Sequence, residues 1–514
     1  MLHSADCRQF GAVGLDFSLW RTAERSSLRL ESLISLFPGW LAGWPAGRRV
    51  AGDYTEGAGV GLTSELAERL ATLAVDEIPQ AATRQAQRAM TDAIGVGLAG
   101  SLEEPARAVG RFLEAEAHTG VCSVWGRSLV TDSSLAAFAN GVAVHALDFE
   151  PMWIPPTHPT GTVVPAVLAW VQQSTLHVTG ADVLAAIVLG MEVQAALRRA
   201  VLGGGNHELD GPHPPGAVGA IGSAVAVGRM AGLDAGQLAM AIGISASRAA
   251  GLMVNTGTMT KSTHVGHAAR MGLESVRLVQ HGVTASHQAL EGRYGFFETL
   301  YRRPPDTTPV EEFGTTWRLV DPGLAFKLYP SQYPTHWSIE AALTIKRDHC
   351  LVSDEIKAIE VRVGADNEAA HTPLASTPLA GKFCIPYCVA VALACGEVNI
   401  DSFHDAIFER PDVQRLMKLV NIDLDPTIPG MDFQSATAEV TVQTKKGARY
   451  KAAVARPFGI WDRPADDDTL AAKFRQCATR VFPPSHADAL YEWLSTFERE
   501  PNAARVVAAL GTDG

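Results

Sequence analysis

Two similar tetrapeptides, His158-Pro159-Thr160-Gly161 and His213-Pro214-Pro215-Gly216, each stand directly before an apolar run, TVVPAVLAW and AVGAIGSAVAVG. Proline and glycine suit the turn into a helix and fit poorly inside one, so each histidine is expected at a helix N-terminus. Free backbone N–H groups and the positive end of the helix dipole favour an anion there. A third element of this kind is Thr260-Lys261-Ser262-Thr263-His264, read as a turn before the helix VGHAARMGLESVRLV. Three helix starts, each with a basic or titratable side chain, can converge on one polycarboxylate. Asp148 follows the helix SSLAAFANGVAVHAL, where it could orient a histidine or act as a base if burial raised its pKa. A histidine at a helix start also serves as a cap or a structural hydrogen-bonder, and spacing alone leaves both readings open.

Other side chains carry weaker signals. His264 and His267, taken with Asp148, His158 and His213, raise the question of zinc or non-haem iron. No HExxH motif and no cysteine ligand set accompanies them, so no metal is expected and His267 is read as packing. His145 faces inward on its helix and reads as core, as do Cys384 and Cys388, one turn apart on an apolar helix. The glycines Gly216, Gly219 and Gly222 lack the GxGxxG spacing and no strand precedes them, which favours close helix packing over a nucleotide site.

The elements that must position these residues are mostly helical. Periodicity begins at Thr63-Ser64, an expected N-cap pair, with Leu66, Leu70 and Leu73 on one face, and a second helix follows Pro79. Ala- and Gly-rich helical patterns continue to about residue 300 and predict an all-helical core. Strand patterns then appear in IKAIEVRV, with Ile356, Ile359, Val361 and Val363, and in AEVTVQT and ARYKAAVA, which read as a hairpin. Helical patterns return from Asp466. The fold class expected is mainly α: a large all-helical domain made by the N- and C-terminal segments, with an inserted α+β lid domain. The boundaries are 1–62 for a poorly ordered N-terminal extension, 63–322 for the first helical part, 323–462 for the lid and 463–514 for the helical return.

Composition limits the partners. The 514 residues carry 43 Lys and Arg against 55 Asp and Glu, a net charge of -12, with no long basic run, so neither nucleic acid nor an anionic membrane is an expected partner. The 7 cysteines are odd in number, scattered and without CxxC, which points to a reducing, cytoplasmic setting. The most apolar stretch, residues 178–197, is interrupted by Asp182 and Glu192, so no spanning helix is expected and the protein reads as soluble.

The strings HALDFEPMWIPPTHPTG, GPHPPGAVGAIGSA, MTKSTHVGHAARMG and AFKLYPSQYPTHWSIEAA together resemble the MmgE/PrpD family, over roughly residues 63–500 and in family order. That family contains 2-methylcitrate dehydratase, cis-aconitate decarboxylase and iminodisuccinate epimerase, and the wording here is most similar to the decarboxylase branch. The resemblance implies a helical domain with an α+β lid, a homodimer, and chemistry without metal or organic cofactor. It assigns the catalytic positions to Asp148, His158, His213, Lys261 and the lid residue Lys327, and substrate contacts to Thr157, His264 and Gln332. The chain departs from the decarboxylase pattern where Gln332 replaces a lid histidine, where Glu368, with His371 just beyond, replaces a lid tyrosine, and where Glu150-Pro151 replaces an acidic pair. Glutamine can hold a carboxylate but cannot titrate near neutral pH. The implied function is a cofactor-independent lyase, a decarboxylase or dehydratase, moving a proton next to a carboxylate of a small di- or tricarboxylate. The alternatives are an epimerase or isomerase of a substituted succinate such as iminodisuccinate, and a catalytically silent carboxylate-binding relative.

Overall fold

A computed structural model of the chain describes residues 61–116, 118–202 and 211–511. The expected N-terminal extension therefore lies, but for its last two residues, outside the described part. The first helix, α1, spans Leu62–Thr72 and is capped at Gly61, two residues ahead of the capping role expected for Thr63 and Ser64. Thr63 is drawn into the helix by a distant partner: its N–H and hydroxyl donate to Glu291 at 3.1 and 2.5 Å. Helices α2 (Gln80–Gly100), α3 (Glu104–Ala115) and α4 (Ser133–Ala146) follow. Asp132 caps α4 by accepting from the N–H groups of Ser134 and Leu135 at 2.8 and 3.3 Å. Between α3 and α4 a small hairpin of β1 (Cys122–Val124) and β2 (Leu129–Thr131) interrupts what was expected to be all-helical. Three-residue strands are too short to leave a period in the sequence.

The centre is built from α5 (Pro159–Gln173), α6 (Gly180–Leu202), α7 (Pro214–Met230), α8 (Ala235–Ser247) and α9 (Met259–Gln280). Helix α9 lies against α7 and α4, and α6 lies against α7. Small residues permit this closeness: a Cβ on Gly222 would stand 2.4 Å from the Gly190 carbonyl oxygen, and one on Gly219 2.6 Å from the Thr162 methyl. The glycine run is thus a packing seam. Helix α6 is long and apolar enough to cross a membrane, contrary to the sequence expectation, but 89% of that window is buried inside the protein. Its one buried acid, Glu192, accepts from the backbone N–H groups of Arg318 and Leu319 at 2.9 and 2.8 Å.

A second core gathers Tyr333, Trp337, Ile359, Cys384, Cys388 and Val440. It covers a four-stranded sheet of β3 (Ile356–Gly364), β4 (Val420–Asp425), β5 (Ala438–Thr444) and β6 (Arg449–Val454), in the order β4-β3-β5-β6. Strand β3 runs antiparallel to β5 and parallel to β4, and β5–β6 is the expected hairpin. Alternating burial along β5 shows one face on the core, against which α10 (His336–Asp348) packs. Strand β4, VNIDLD, is an addition to the strand patterns IKAIEVRV, AEVTVQT and ARYKAAVA. After the sheet, α11 (Asp467–Ala478) and α12 (Pro484–Ser495) send Leu470, Phe474, Leu490 and Leu494 into the first core, beside α1–α9. The chain is mainly α.

Candidate active site

The site forms where α4 ends. Leu147 caps the helix and Asp148 then turns the chain with φ of +50°, in the left-handed region that Asp tolerates better than most residues. The buried Asp148 carboxylate accepts from Lys261 Nζ at 2.8 Å on Oδ2 and from Lys327 Nζ on Oδ1. Lys327 also donates to the Asp148 carbonyl at 3.0 Å. Lys261 does not sit in a turn before its helix, as expected, but in the first turn of α9, which starts at Met259. The break falls earlier, at Gly257 with φ of +83°, because nothing between Thr258 and His264 interrupts a helix.

His158 and His213 are the N-terminal caps of α5 and α7, as their Pro-Gly signatures imply. The two helix starts deliver them to one place, with His145 between them: ring centres lie 4.8 Å apart for His145 and His158 and 5.7 Å apart for His145 and His213. His145 is buried, as its inward-facing position implies, and it also joins the site. Its Nε2 lies 3.0 Å from Lys261 Nζ and its Nδ1 is hydrogen-bonded to Glu150 Oε1. Glu150, fully buried, also lies 3.2 Å from His158 Nδ1. A carboxylate facing both Nδ1 atoms favours the tautomer that leaves Nε2 of each ring free to accept. The sequence names Glu150 only as a departure from the family string and assigns it no site role; the signal for one is the run His145-x-x-Asp148-x-Glu150, which places two acids just past a helix end.

The cleft, about 600 Å³ including its mouth, is lined by Asp148, Thr157, His158, His213, Lys261, Lys327, Gln332 and Glu368, with Arg198, Tyr333 and Phe433 on its walls. Gln332 Nε2 donates to Glu368 Oε2 at 2.8 Å, so the two lid departures form one unit. The buried Thr157 hydroxyl has no hydrogen-bond partner among the described residues. His264 is not among the cleft-lining residues; it stands against His213, the two Nδ1 atoms 3.3 Å apart. His371 is exposed and tied to the Ala365 carbonyl at 2.6 Å.

Electrostatics follow from burial and these contacts. Burial would raise the Asp148 carboxyl, but Lys261 and Lys327 outweigh it and hold it well below the usual range. Glu150 is likewise lowered, its burial outweighed by His145 and His158. Burial pushes His145 down to about 4 despite Glu150, and lowers His158 and His213, with Lys261 adding to the effect on His213. Lys327 is lowered by burial against the pull of Asp148. Glu368 is raised by burial, against its hydrogen bond from Gln332. With its imidazoles neutral, the cluster of two carboxylates and two ammonium groups sums to zero charge.

His145, Asp148, Glu150 and His158 each offer one ligand atom within 4.8 Å of the others, a set that could hold a small cation. Both Asp148 oxygens, however, already accept from ammonium groups, and a divalent ion there would stand beside two like charges. The donor set fits acid–base chemistry better than metal ligation.

Fold and site define a mainly helical enzyme with a histidine- and lysine-lined cleft. The MmgE/PrpD N-terminal domain model matches residues 64–308 and the MmgE/PrpD C-terminal domain model matches residues 329–497, so the chain belongs to the MmgE/PrpD family and is a lyase of that type. Cis-aconitate decarboxylase of Mus musculus is 29% identical over 434 residues, covering 82% of this chain and 87% of the relative. Cis-aconitate decarboxylase of Aspergillus terreus is 24% identical, covering 82% of this chain and 90% of the relative. The 2-methylcitrate dehydratase of Cupriavidus necator is 24% identical, covering 79% and 87%.

Proposed function

We propose that this protein is a cofactor-independent decarboxylase or dehydratase of a small carboxylate, in which His158 and His213 move a proton on carbon next to a carboxylate, Asp148 anchors the cluster, and Lys261 and Lys327 stabilise the charge that builds. The observation that carries this reading is the Asp148 carboxylate between two buried lysines, ringed by His145, His158 and His213. A dicarboxylate entering a cluster of zero net charge brings two negative charges, which raises the proton affinity of the nearby imidazoles. His158 or His213 then takes up a proton and becomes the acid. In a decarboxylation, CO₂ departs with the C–C bond broken, and the imidazolium protonates the carbanion left behind. In a dehydration, a neutral imidazole takes the α-proton while the imidazolium protonates the leaving hydroxyl. Lys261 and Lys327 stabilise charge that builds on the substrate carboxylate in either case. Thr157 and Gln332 serve as hydrogen-bonding contacts.

The substrate preferred on this reading has two carboxylates, or two with a polar or cationic group. Glu368 in the cleft wall, half paired with Gln332, would repel a third carboxylate unless it stays protonated. The same pair favours a second reading, epimerisation of a substituted succinate, since no titratable lid histidine is required there. The segment 323–462 acts as a lid that closes Lys327 over the substrate, and the enzyme works in the cytoplasm as a homodimer. The exposed Leu252, Val254 and Met259 at the approach to α9 support a subunit contact.

The test is an NMR screen in heavy water of succinate, citramalate, iminodisuccinate, citrate and aconitate derivatives. Loss of CO₂ or formation of an alkene is the expected outcome, and it should survive exhaustive chelation. Deuterium exchange without net conversion would select the epimerase, and binding without exchange a silent relative. Loss of activity on chelation, restored by one metal, would overturn the acid–base reading.

A further inference from the structure

The turn that presents Asp148 is held by three buried ammonium groups. Lys382 Nζ donates to the Leu147 carbonyl at 3.3 Å, Lys327 Nζ to the Asp148 carbonyl at 3.0 Å, and Lys473 Nζ to the Phe149 carbonyl at 2.8 Å. Three consecutive carbonyls thus each accept from a different lysine, and the lysines are 2%, 1% and 6% exposed. They come from separate stretches of chain: the loop before the Tyr333–Thr335 turn, the segment before the Ile385–Cys395 helix, and α11. Lys382 also reaches the Pro330 carbonyl at 3.4 Å, so it joins the Asp148 turn to the loop carrying Lys327. Lys473 is anchored by Asp92 of α2 at 2.8 Å and lies 3.9 Å from the centre of the Phe149 ring.

Simple capping explains part of this pattern. The last carbonyls of α4 lack intrahelical partners, and cations are favoured at a helix C-terminus. Capping does not account for the contact at Phe149, which lies beyond the helix. Nor does stability: burying ammonium groups carries a desolvation cost that apolar side chains of similar size avoid. What the three contacts share is the orientation of the peptide units on either side of Asp148, whose positive φ aims its carboxylate between Lys261 and Lys327.

We propose that Lys473 and Lys382 are positioning residues that lock the Leu147–Phe149 turn from the C-terminal helix and from the second core, and so set the Asp148 carboxylate for catalysis. Neither lines the cleft. The inference rests on the proton-transfer reading above for its catalytic consequence, while the lock itself can be tested without turnover. The direct variant Lys473→Met would strand Asp92, so it is combined with Asp92→Asn, and Lys473→Arg serves as the conservative control.

With citramalate as probe, the double variant should lose about tenfold or more in kcat while KM stays within about threefold, and Lys473→Arg should recover part of the loss. Hydrogen exchange followed by mass spectrometry should quicken at residues 147–150 and remain unchanged across α2. Unchanged kcat, or a loss matched by a fall in melting temperature and by faster exchange throughout the first core, would overturn the proposal. If the unmodified protein turns over no member of the screened panel, the functional reading fails instead, and the exchange at 147–150 alone decides whether the lock exists.

Discussion

Asp148 gathers the site because of what surrounds its carboxylate. Two ammonium groups keep it anionic although it is buried, and an aspartate held this way is a poor base but a firm anchor. On the proposed reading, proton transfer falls to the imidazoles of His158 and His213, whose pKa values burial lowers. Substrate choice, on the same proposed reading, is set in the cleft wall by Gln332 and Glu368, joined by one hydrogen bond. Restoring the decarboxylase residues with Gln332→His and Glu368→Tyr should raise turnover of cis-aconitate by about tenfold or more, measured as CO₂ release. Efficient decarboxylation of cis-aconitate by the unmodified protein would instead mean that the pair does not govern choice.

At the scale of elements, the helices owe their positions to small residues at their crossings. Gly222→Ala pushes a methyl group to 2.4 Å from the Gly190 carbonyl oxygen, in backbone that cannot shift without moving α6. A loss of about 1–3 kcal/mol in unfolding free energy is expected, read by denaturant titration, with no change in affinity for nucleotides. Helix α6 carries a pH-dependent term in Glu192, which burial raises to about 7 despite hydrogen bonds from the Leu319 and Arg318 N–H groups. Its folded pKa stands above its unfolded one, near 4.5, so the unfolded chain ionises first and stability falls as pH rises from about 4.5 through 7. Glu192→Gln removes that term. Its melting temperature relative to the unmodified protein should therefore be more favourable at pH 8 than at pH 5, and an offset independent of pH would show that Glu192 ionises normally.

The whole molecule brings together cations from distant parts of the chain. Lys261 lies in the first core's α9, whereas Lys327 lies just before the segment that builds the second core, and both meet on Asp148. Closing such a site excludes water and strengthens each charge contact. Lys327→Ala should cut turnover by about 10²–10³. Asp148 keeps Lys261 in that variant, so its charge is not left alone and the melting temperature should move far less than the rate. Equal activity would make Lys327 a structural cation only.

The local grammar of the chain was enough to place His158 and His213 at helix starts, because Pro and Gly act on their immediate neighbours. The same holds for the Pro79 helix, the Asp466 cap and the β5–β6 hairpin, whose periods and caps are written within a few residues. Lys327 was identified by resemblance alone, since nothing near it in the chain marks it as a partner of Asp148. What tertiary structure decided is the rest of the cluster. His145 reads as core from its inward-facing helix position, and only the approach of α9 shows that Lys261 meets its other nitrogen. Glu150 looked like a departure from a family string, yet it faces two imidazoles. His264, which the family resemblance places at the pocket wall or just behind it, stands against His213. Periodicity specifies which face of an element is buried; which charges share that burial depends on segments hundreds of residues apart, and no local pattern encodes their meeting.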